Sequence, residues 1–165
     1  MLLYLMRHGI AINRDDPECP PDPERQLTKK GIEKTRAVAQ GLRALGIRPE
    51  AMLTSPFARA VQTAEIAAVA LELARGEIRQ TEALLFGHKP AELFRELAKV
   101  RGKEVMCLGH APHLDEVIAF ALGCHSPVTS LKKAGVACLE LEAISPPRGS
   151  LLWLHTPRSL RILGE

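Results

Sequence analysis

The sequence predicts an α/β fold, with helices layered on a mostly parallel sheet. Short apolar runs of strand length alternate along the chain with longer segments of helical spacing. Three of those runs end in a polar loop carrying Arg or His, as expected where strand ends open into a ligand site. At 165 residues, 46% hydrophobic and 25% charged, the chain has the length and balance of one ordinary globular domain.

The elements follow in order. Residues 2–6 form an apolar run suited to a strand buried on both faces. Residues 7–26 are polar and proline-rich, including Cys19-Pro20-Pro21-Asp22-Pro23, and read as a long loop of the kind that is functional or mobile. Thr28 is suited to cap a helix carrying Ile32, Thr35, Ala39, Leu42 and Leu45 at helical spacing, with Gly46 stopping it. Residues 51–54 make a second strand. Ser55 as cap and Pro56 as first helical residue open an Ala-rich helix over 57–73. Residues 77–81 suit a third strand. Gly87-His88-Lys89-Pro90 is a turn, and Pro90 opens a helix to about Val100. Residues 104–108 form the fourth strand, and 112–122 the next helix, stopped near Gly123. Residues 136–141 and 151–155 are two closing strands, with the turn placed at 146–149.

Composition excludes several classes. Net charge is +3 with no Lys/Arg-rich run, which argues against nucleic acid as a partner. No apolar stretch approaches the roughly 20 residues of a membrane span. The N-terminal run is too short for a signal peptide. The four cysteines (Cys19, Cys107, Cys124, Cys138) form no framework, and Cys107 and Cys138 lie in apolar runs; a reduced, cytoplasmic protein is expected.

The chemistry gathers at three strand ends: Arg7-His8-Gly9, Ser55-Pro56-Phe57-Ala58-Arg59, and Gly109-His110-Ala111-Pro112. Two guanidiniums match a phosphoryl group as paired donors. Gly9 and Gly109 allow close backbone approach. The helix after Pro112 aims its N-terminus at the same region. With an ordinary pKa near 6.5, one imidazole can be neutral and attack phosphorus, forming a phosphohistidine that water hydrolyses. The second, protonated, can hold the equatorial oxygens. The surrounding cations should keep the nucleophile unprotonated. This scheme calls for no cofactor, and the histidines show no metal-ligand spacing.

These residues resemble the histidine phosphatase superfamily: Leu5-Met6-Arg7-His8-Gly9, the run from Thr54 to Ala64, and Gly109-His110 stand in its order across nearly the whole chain. The resemblance implies a three-layer α/β/α, phosphoglycerate mutase-like fold with a mostly parallel mixed sheet. It implies His8 as the phosphorylated nucleophile, with Arg7, Arg59 and His110 binding the phosphoryl group. Within the superfamily the chain looks like the SixA-type phosphohistidine phosphatases, in its short length and in Arg25-Gln26-Leu27-Thr28 with Gly31, Gly109-His110-Ala111-Pro112-His113-Leu114, and the stretches 131–135 and 153–160. That likeness implies residues 1–165 as a single domain without a cap insertion. The implied partner is a phosphorylated histidine-containing signalling protein, or a small phosphorylated molecule.

One departure stands out. Phosphoglycerate mutases and many acid phosphatases of the superfamily carry a general-acid Glu or Asp in the loop after the third strand. Glu82 is the nearest candidate here, but the usual Glu-x-x-Tyr-Gly register puts the acid position on Ala83. A solvated loop carboxylate is the competing reading of Glu82. Without that acid a phosphorylated imidazole is a better substrate than an alkyl phosphate, whose leaving alkoxide needs a proton donor. A general phosphomonoesterase and a weakly catalytic phosphoprotein-binding module are the alternative readings. His113 reads as a half-exposed helix residue, His125 and His155 as structural, and Lys132 and Lys133 as a solvated pair.

Overall fold

β1 (Leu2–Arg7) lies inside the sheet because both of its faces are apolar: Leu3 and Leu5 point one way, Tyr4 and Met6 the other, all buried. The computed structural model describes residues 1–74 and 77–165. β1 is followed by α1 (Lys29–Ala44), β2 (Ala51–Thr54), α2 (Ala58–Ala70), β3 (Ile78–Gln80), α3 (Pro90–Leu97), β4 (Glu104–Gly109), α4 (His113–Ala121), β5 (Val136–Ile144), β6 (Pro147–His155) and α5 (Pro157–Leu163). The six strands run in the order β3-β2-β4-β1-β5-β6. β3, β2, β4 and β1 are mutually parallel, while β5 and β6 are antiparallel additions.

Two apolar cores flank this mixed sheet. Leu3, Leu5, Val105 and Cys107 meet Leu93, Leu97, Leu114 and Ile118 of α3 and α4. Tyr4, Met6, Met106 and Leu108 meet Val38, Leu42, Ala64 and Leu160 of α1, α2 and α5. The result is the expected three-layer α/β/α arrangement. Each fully buried leucine contributes about 1.5–3 kcal/mol relative to exposure. All four cysteines are free thiols, Cys107 and Cys138 buried. Among the described residues no helix is long and apolar enough to cross a membrane.

Thr28 caps α1 as expected, its hydroxyl accepting the Gly31 N–H at 3.0 Å, and Gly46 follows in the left-handed region at φ 77°. Three expectations change. Helix α2 begins at Ala58 with Phe57 as its cap residue, not at Ser55-Pro56. The Ser55 hydroxyl accepts the Phe57 N–H at 3.3 Å and otherwise faces His110, so it turns the chain instead of capping the helix. The final hairpin turns at residues 145–146, and Pro147 to Gly149 belong to β6; proline is tolerated there because β6 is an edge strand whose outer donors need no partner. The tail forms α5, capped by Thr156 and anchored by Leu160.

Candidate active site

Sheet register brings the three loops level. Arg7 pairs with Gly109, Thr54 pairs with Leu108, and the next amides continue the ladders: His8 N–H donates to Gly109 O at 3.0 Å and Ser55 N–H to Leu108 O at 2.9 Å. β1, β4 and β2 therefore release their loops side by side at their carboxyl ends. The closeness needs glycine. A Cβ at Gly9 would run into the Thr35 hydroxyl, and one at Gly109 would lie 3.2 Å from Leu84 O. The Gly9 N–H donates to Thr63 Oγ1 at 3.0 Å, and Thr63 donates in turn to Arg59 O at 2.7 Å, tying the first loop to α2.

His8 is 6% exposed. Its Nδ1 lies 2.7 Å from Gly9 O, an acceptor only, so Nδ1 carries the proton. Nε2 then keeps its lone pair, which accepts Arg59 Nε–H at 3.3 Å. Burial is the main force pulling the His8 pKa down to about 3; the Gly9 carbonyl opposes it, and His110, Arg59 and Arg7 add to it. Cations do keep this ring neutral, as expected from the sequence, but they act second to desolvation.

His110 is 2% exposed, its ring centroid 5.2 Å from that of His8. Nε2 lies 2.7 Å from Ser55 Oγ. A Ser55 hydroxyl that accepts the Phe57 N–H and gives its own proton to Nε2 leaves the imidazole proton on Nδ1. Nδ1 is buried with no partner. Burial, then Arg59, pull the His110 pKa down to about 3, against a raising effect of Asp22. The sequence reading has His110 protonated with the phosphoryl group bound; buried among cations, the ring favours the neutral form in the absence of an anion. It still offers one N–H.

Arg7 donates from Nη1 to Leu131 O at 2.9 Å, while its buried Nε has no partner. The Leu131 segment is held by buried Asp115, which accepts the Leu131 N–H at 3.0 Å and the Thr129 hydroxyl at 2.7 Å. Arg59 is 1% exposed. Its Nη1 donates to Asp22 O at 2.7 Å and its Nη2 to Asp22 Oδ2 at 3.2 Å. Its guanidinium carbon lies 5.1 Å from the centroid of the Phe57 ring, which together with exposed Phe86 packs edge-on against His110.

The four predicted phosphate ligands thus converge on one hollow of about 580 Å³, also lined by Arg25, Phe86, Lys133 and the loop residues Asn13, Arg14 and Asp15. Glu82 does not join them. It is exposed at the start of a short 3-10 turn and lines a different hollow, against α3. His113 is buried, not half-exposed: its Nε2 lies 2.9 Å from Ala83 O, a backbone acceptor that lets a histidine sit inside the core. His155 packs on Trp153, and His125 is exposed. Lys133 is exposed like Lys132 but stands at the rim of the His8 hollow. Sequence reasoning missed Asp22, Thr63 and Asp115, and it gave Ser55 a capping role only. Among the described residues no three His, Cys, Asp or Glu side chains stand close enough to hold a metal ion.

Residues 3–85 match the family model described as histidine phosphatase superfamily, branch 1. The chain belongs to that superfamily. An uncharacterized protein of Picosynechococcus sp. is 42% identical over 172 aligned residues, spanning 99% of this chain and 95% of its own length. Among solved structures, the protein histidine phosphatase SixA complexed with tungstate superimposes with a TM-score of 0.85 at 24% identity, covering 97% of this chain and 99% of that one. The alpha-ribazole phosphatase of Shigella flexneri superimposes with a TM-score of 0.76 at 16% identity, covering 95% and 97%. These two likenesses are of fold, and they place the superfamily's phosphoglycerate mutase-like architecture on the whole chain.

Proposed function

We propose that this chain is a single-domain, SixA-type phosphohistidine phosphatase, which removes the phosphoryl group from a histidine of a signalling protein by way of a phosphorylated His8. The observation that carries the reading is the pattern of satisfied and unsatisfied nitrogens. His8 spends Nδ1–H on Gly9 O and keeps a lone pair on Nε2, while Arg7 Nε and His110 Nδ1 lie buried beside it with no partner. A buried donor without a partner costs about 1–3 kcal/mol. Two of them beside a nucleophile fit an oxyanion that takes up both.

In the first step the His8 Nε2 lone pair forms a bond to phosphorus as the substrate P–N bond breaks. The departing imidazole nitrogen takes a proton from solvent. Arg7, Arg59 and His110 donate to the equatorial oxygens, where the transition-state charge accumulates. In the second step a water oxygen attacks phosphorus, the bond to His8 breaks, and inorganic phosphate leaves. A protonated imidazole is a good leaving group, so the absence of Glu82 from this hollow suits a P–N substrate. The carboxylate lining the hollow is that of Asp15, exposed on the outer loop.

Small phosphomonoesters are the second reading, favoured by the fold shared with alpha-ribazole phosphatase. The test is two-part. Incubation with a phosphorylated histidine domain should load acid-labile, base-stable phosphate onto the protein, and His8→Ala should abolish the label. Steady-state rates should then favour the phosphohistidine domain over a sugar phosphate. The reverse preference selects the monoesterase, and binding without any label or turnover selects a phosphoprotein-binding module.

A further inference from the structure

We propose that Asp22 is the positioning residue of this site: it grips the Arg59 guanidinium from two sides and so aims Arg59 Nε–H at the His8 nucleophile. For catalysis the proposal rests on the reading of His8 given above. Its geometric half stands independently.

The grip has two points. The Asp22 carbonyl accepts from Arg59 Nη1 at 2.7 Å, and Asp22 Oδ2 accepts from Nη2 at 3.2 Å. A guanidinium is planar, so holding both terminal nitrogens restricts Nε–H to a narrow range of directions. That range takes in His8 Nε2, 3.3 Å away. Three of the five Arg59 N–H bonds are spent this way, which leaves one on each terminal nitrogen for a phosphoryl oxygen.

Asp22 is itself held. Its other carboxylate oxygen, Oδ1, accepts from Arg25 Nε at 2.9 Å and from Arg14 Nε at 3.2 Å. Arg25 is largely buried and donates from Nη1 to Ile12 O at 2.6 Å. A continuous chain of contacts therefore runs from Ile12 through Arg25 and Asp22 to Arg59 and His8. The outer loop, polar and proline-rich, reaches the nucleophile through the carbonyl and carboxylate of Asp22. The short 3-10 turn Asp22–Glu24 makes this possible, because it places Asp22 and Arg25 on one side three residues apart.

Charge leads to the same place. Arg59 is buried beside Arg25, Arg14 and His8, and Asp22 is the carboxylate paired with it. A buried guanidinium without that partner is an uncompensated charge. Asp22 touches no reacting atom in this arrangement. It acts through Arg59: as the phosphoryl group arrives, Arg59 Nε–H passes from the His8 lone pair to a phosphoryl oxygen. The pinned terminal nitrogens keep that movement to a short pivot, which frees Nε2 for attack.

Removal should therefore damage the chemical step more than binding. Asp22→Ala should slow phosphoenzyme formation at saturating donor by about 100-fold, the loss expected for roughly an ångström of misplacement. KM should stay within about threefold. Both variants keep the backbone carbonyl; Asp22→Asn also keeps a side-chain carbonyl oxygen toward Arg59 Nη2 and should recover to within about tenfold of the parent. Independently of turnover, arginine Nε–H NMR should show the Arg59 proton protected from exchange in the parent and in Asp22→Asn, and unprotected in Asp22→Ala. Equal labelling rates in parent and Asp22→Ala, a loss confined to KM, or an Arg59 Nε–H equally protected in all three would overturn the proposal. If the parent itself takes no label, the His8 reading fails, and the exchange measurement still decides the role of Asp22.

Discussion

Two hollows on this molecule differ in a way that size does not reveal. The hollow against α3 is the larger, about 790 Å³, with Glu82, His88, Glu92, Glu96 and Lys99 among its lining. The His8 hollow is about 580 Å³. In the larger one two pairs of charged groups meet, His88 Nδ1 at 2.8 Å from Glu92 and Lys99 at 2.9 Å from Glu96, and no described residue of its lining carries a buried polar atom without a partner. In the smaller one, Arg7 Nε and His110 Nδ1 are buried and unpaired, and six Arg or His residues line the hollow. A surface that has satisfied its own polar groups has nothing left to offer a ligand. A surface that holds buried donors open is stabilised by the anion that fills them. The contrast locates function by unpaid hydrogen bonds and not by volume.

The sharpest way to break this comparison is to remove the one group that can react. His8→Ala should reduce phosphoenzyme formation by at least about 1,000-fold, because no other neutral ring nitrogen stands where His8 Nε2 does. Label that survives in His8→Ala at a comparable rate would mean the nucleophile lies elsewhere. Next in size is His110→Ala. Deleting one donor to a developing oxyanion costs about 100- to 1,000-fold in rate, and the Nδ1 of His110 is such a donor once Ser55 has claimed Nε2. Single-turnover labelling with a phosphorylated histidine domain measures both. A His110→Ala protein that labels as fast as its parent removes His110 from the site.

Much of this centre was legible in the sequence, and the reason is local. Arg7, His8, Arg59 and His110 each follow an apolar run that suits a buried strand, and inner parallel strands end at one edge of the sheet. The fold class followed from the same alternation, and the Thr28 cap from its place before the periodic helix. What stayed hidden depends on partners distant in the chain. Asp22 meets Arg59 from 37 positions away, across a loop whose course no periodicity encodes. His113 looked half-exposed because polar residues on helices are usually solvated, and its partner is a carbonyl 30 positions earlier. Ser55 has the composition of a helix cap, but the nearby imidazole claims its hydroxyl. Helix α5 buries only Leu160, too little for an apolar stripe to show.

Acid should expose the strain of the smaller hollow in the protein's stability. An imidazole takes up a proton near pH 6.5 in the unfolded chain, whereas native His8 and His110 do so only near pH 3. Between those values the unfolded state binds more protons. The stability is therefore fully present above about pH 6.5 and is lost as pH falls toward 3, by about 1.4 kcal/mol per pH unit for each histidine. Denaturant unfolding between pH 6.5 and 4 measures this slope. The double substitution His8→Asn with His110→Asn should flatten it; a slope unchanged in the double variant would show that other groups resist protonation. Inorganic phosphate should counter the acid loss, since an anion in the hollow stabilises the native state by mass action and favours protonated imidazoles.

The smallest expected effect is the most informative about the comparison, because it concerns a residue that the superfamily's loop brings near the chemistry in sequence and the fold carries away from it in space. Glu82 starts its 3-10 turn under a cap from Thr81, whose hydroxyl accepts the Ala83 N–H at 3.2 Å. That turn buries Ala83 and sends the Glu82 side chain outward, while Ala83 O is taken by His113. Proton donation to a leaving group requires contact within about 3 Å or through one water, and Glu82 lines the α3 hollow instead. Glu82→Gln should therefore change phosphoenzyme formation and steady-state turnover of a phosphohistidine domain by less than about twofold, since it removes no group that meets the proton. The thermal shift produced by inorganic phosphate should be the same in Glu82→Gln as in the parent, and absent in Arg59→Ala. A large loss in Glu82→Gln that is confined to phosphomonoester substrates would revise the comparison in a specific way. It would mean that Glu82 reaches the leaving oxygen of substrates that need a proton there.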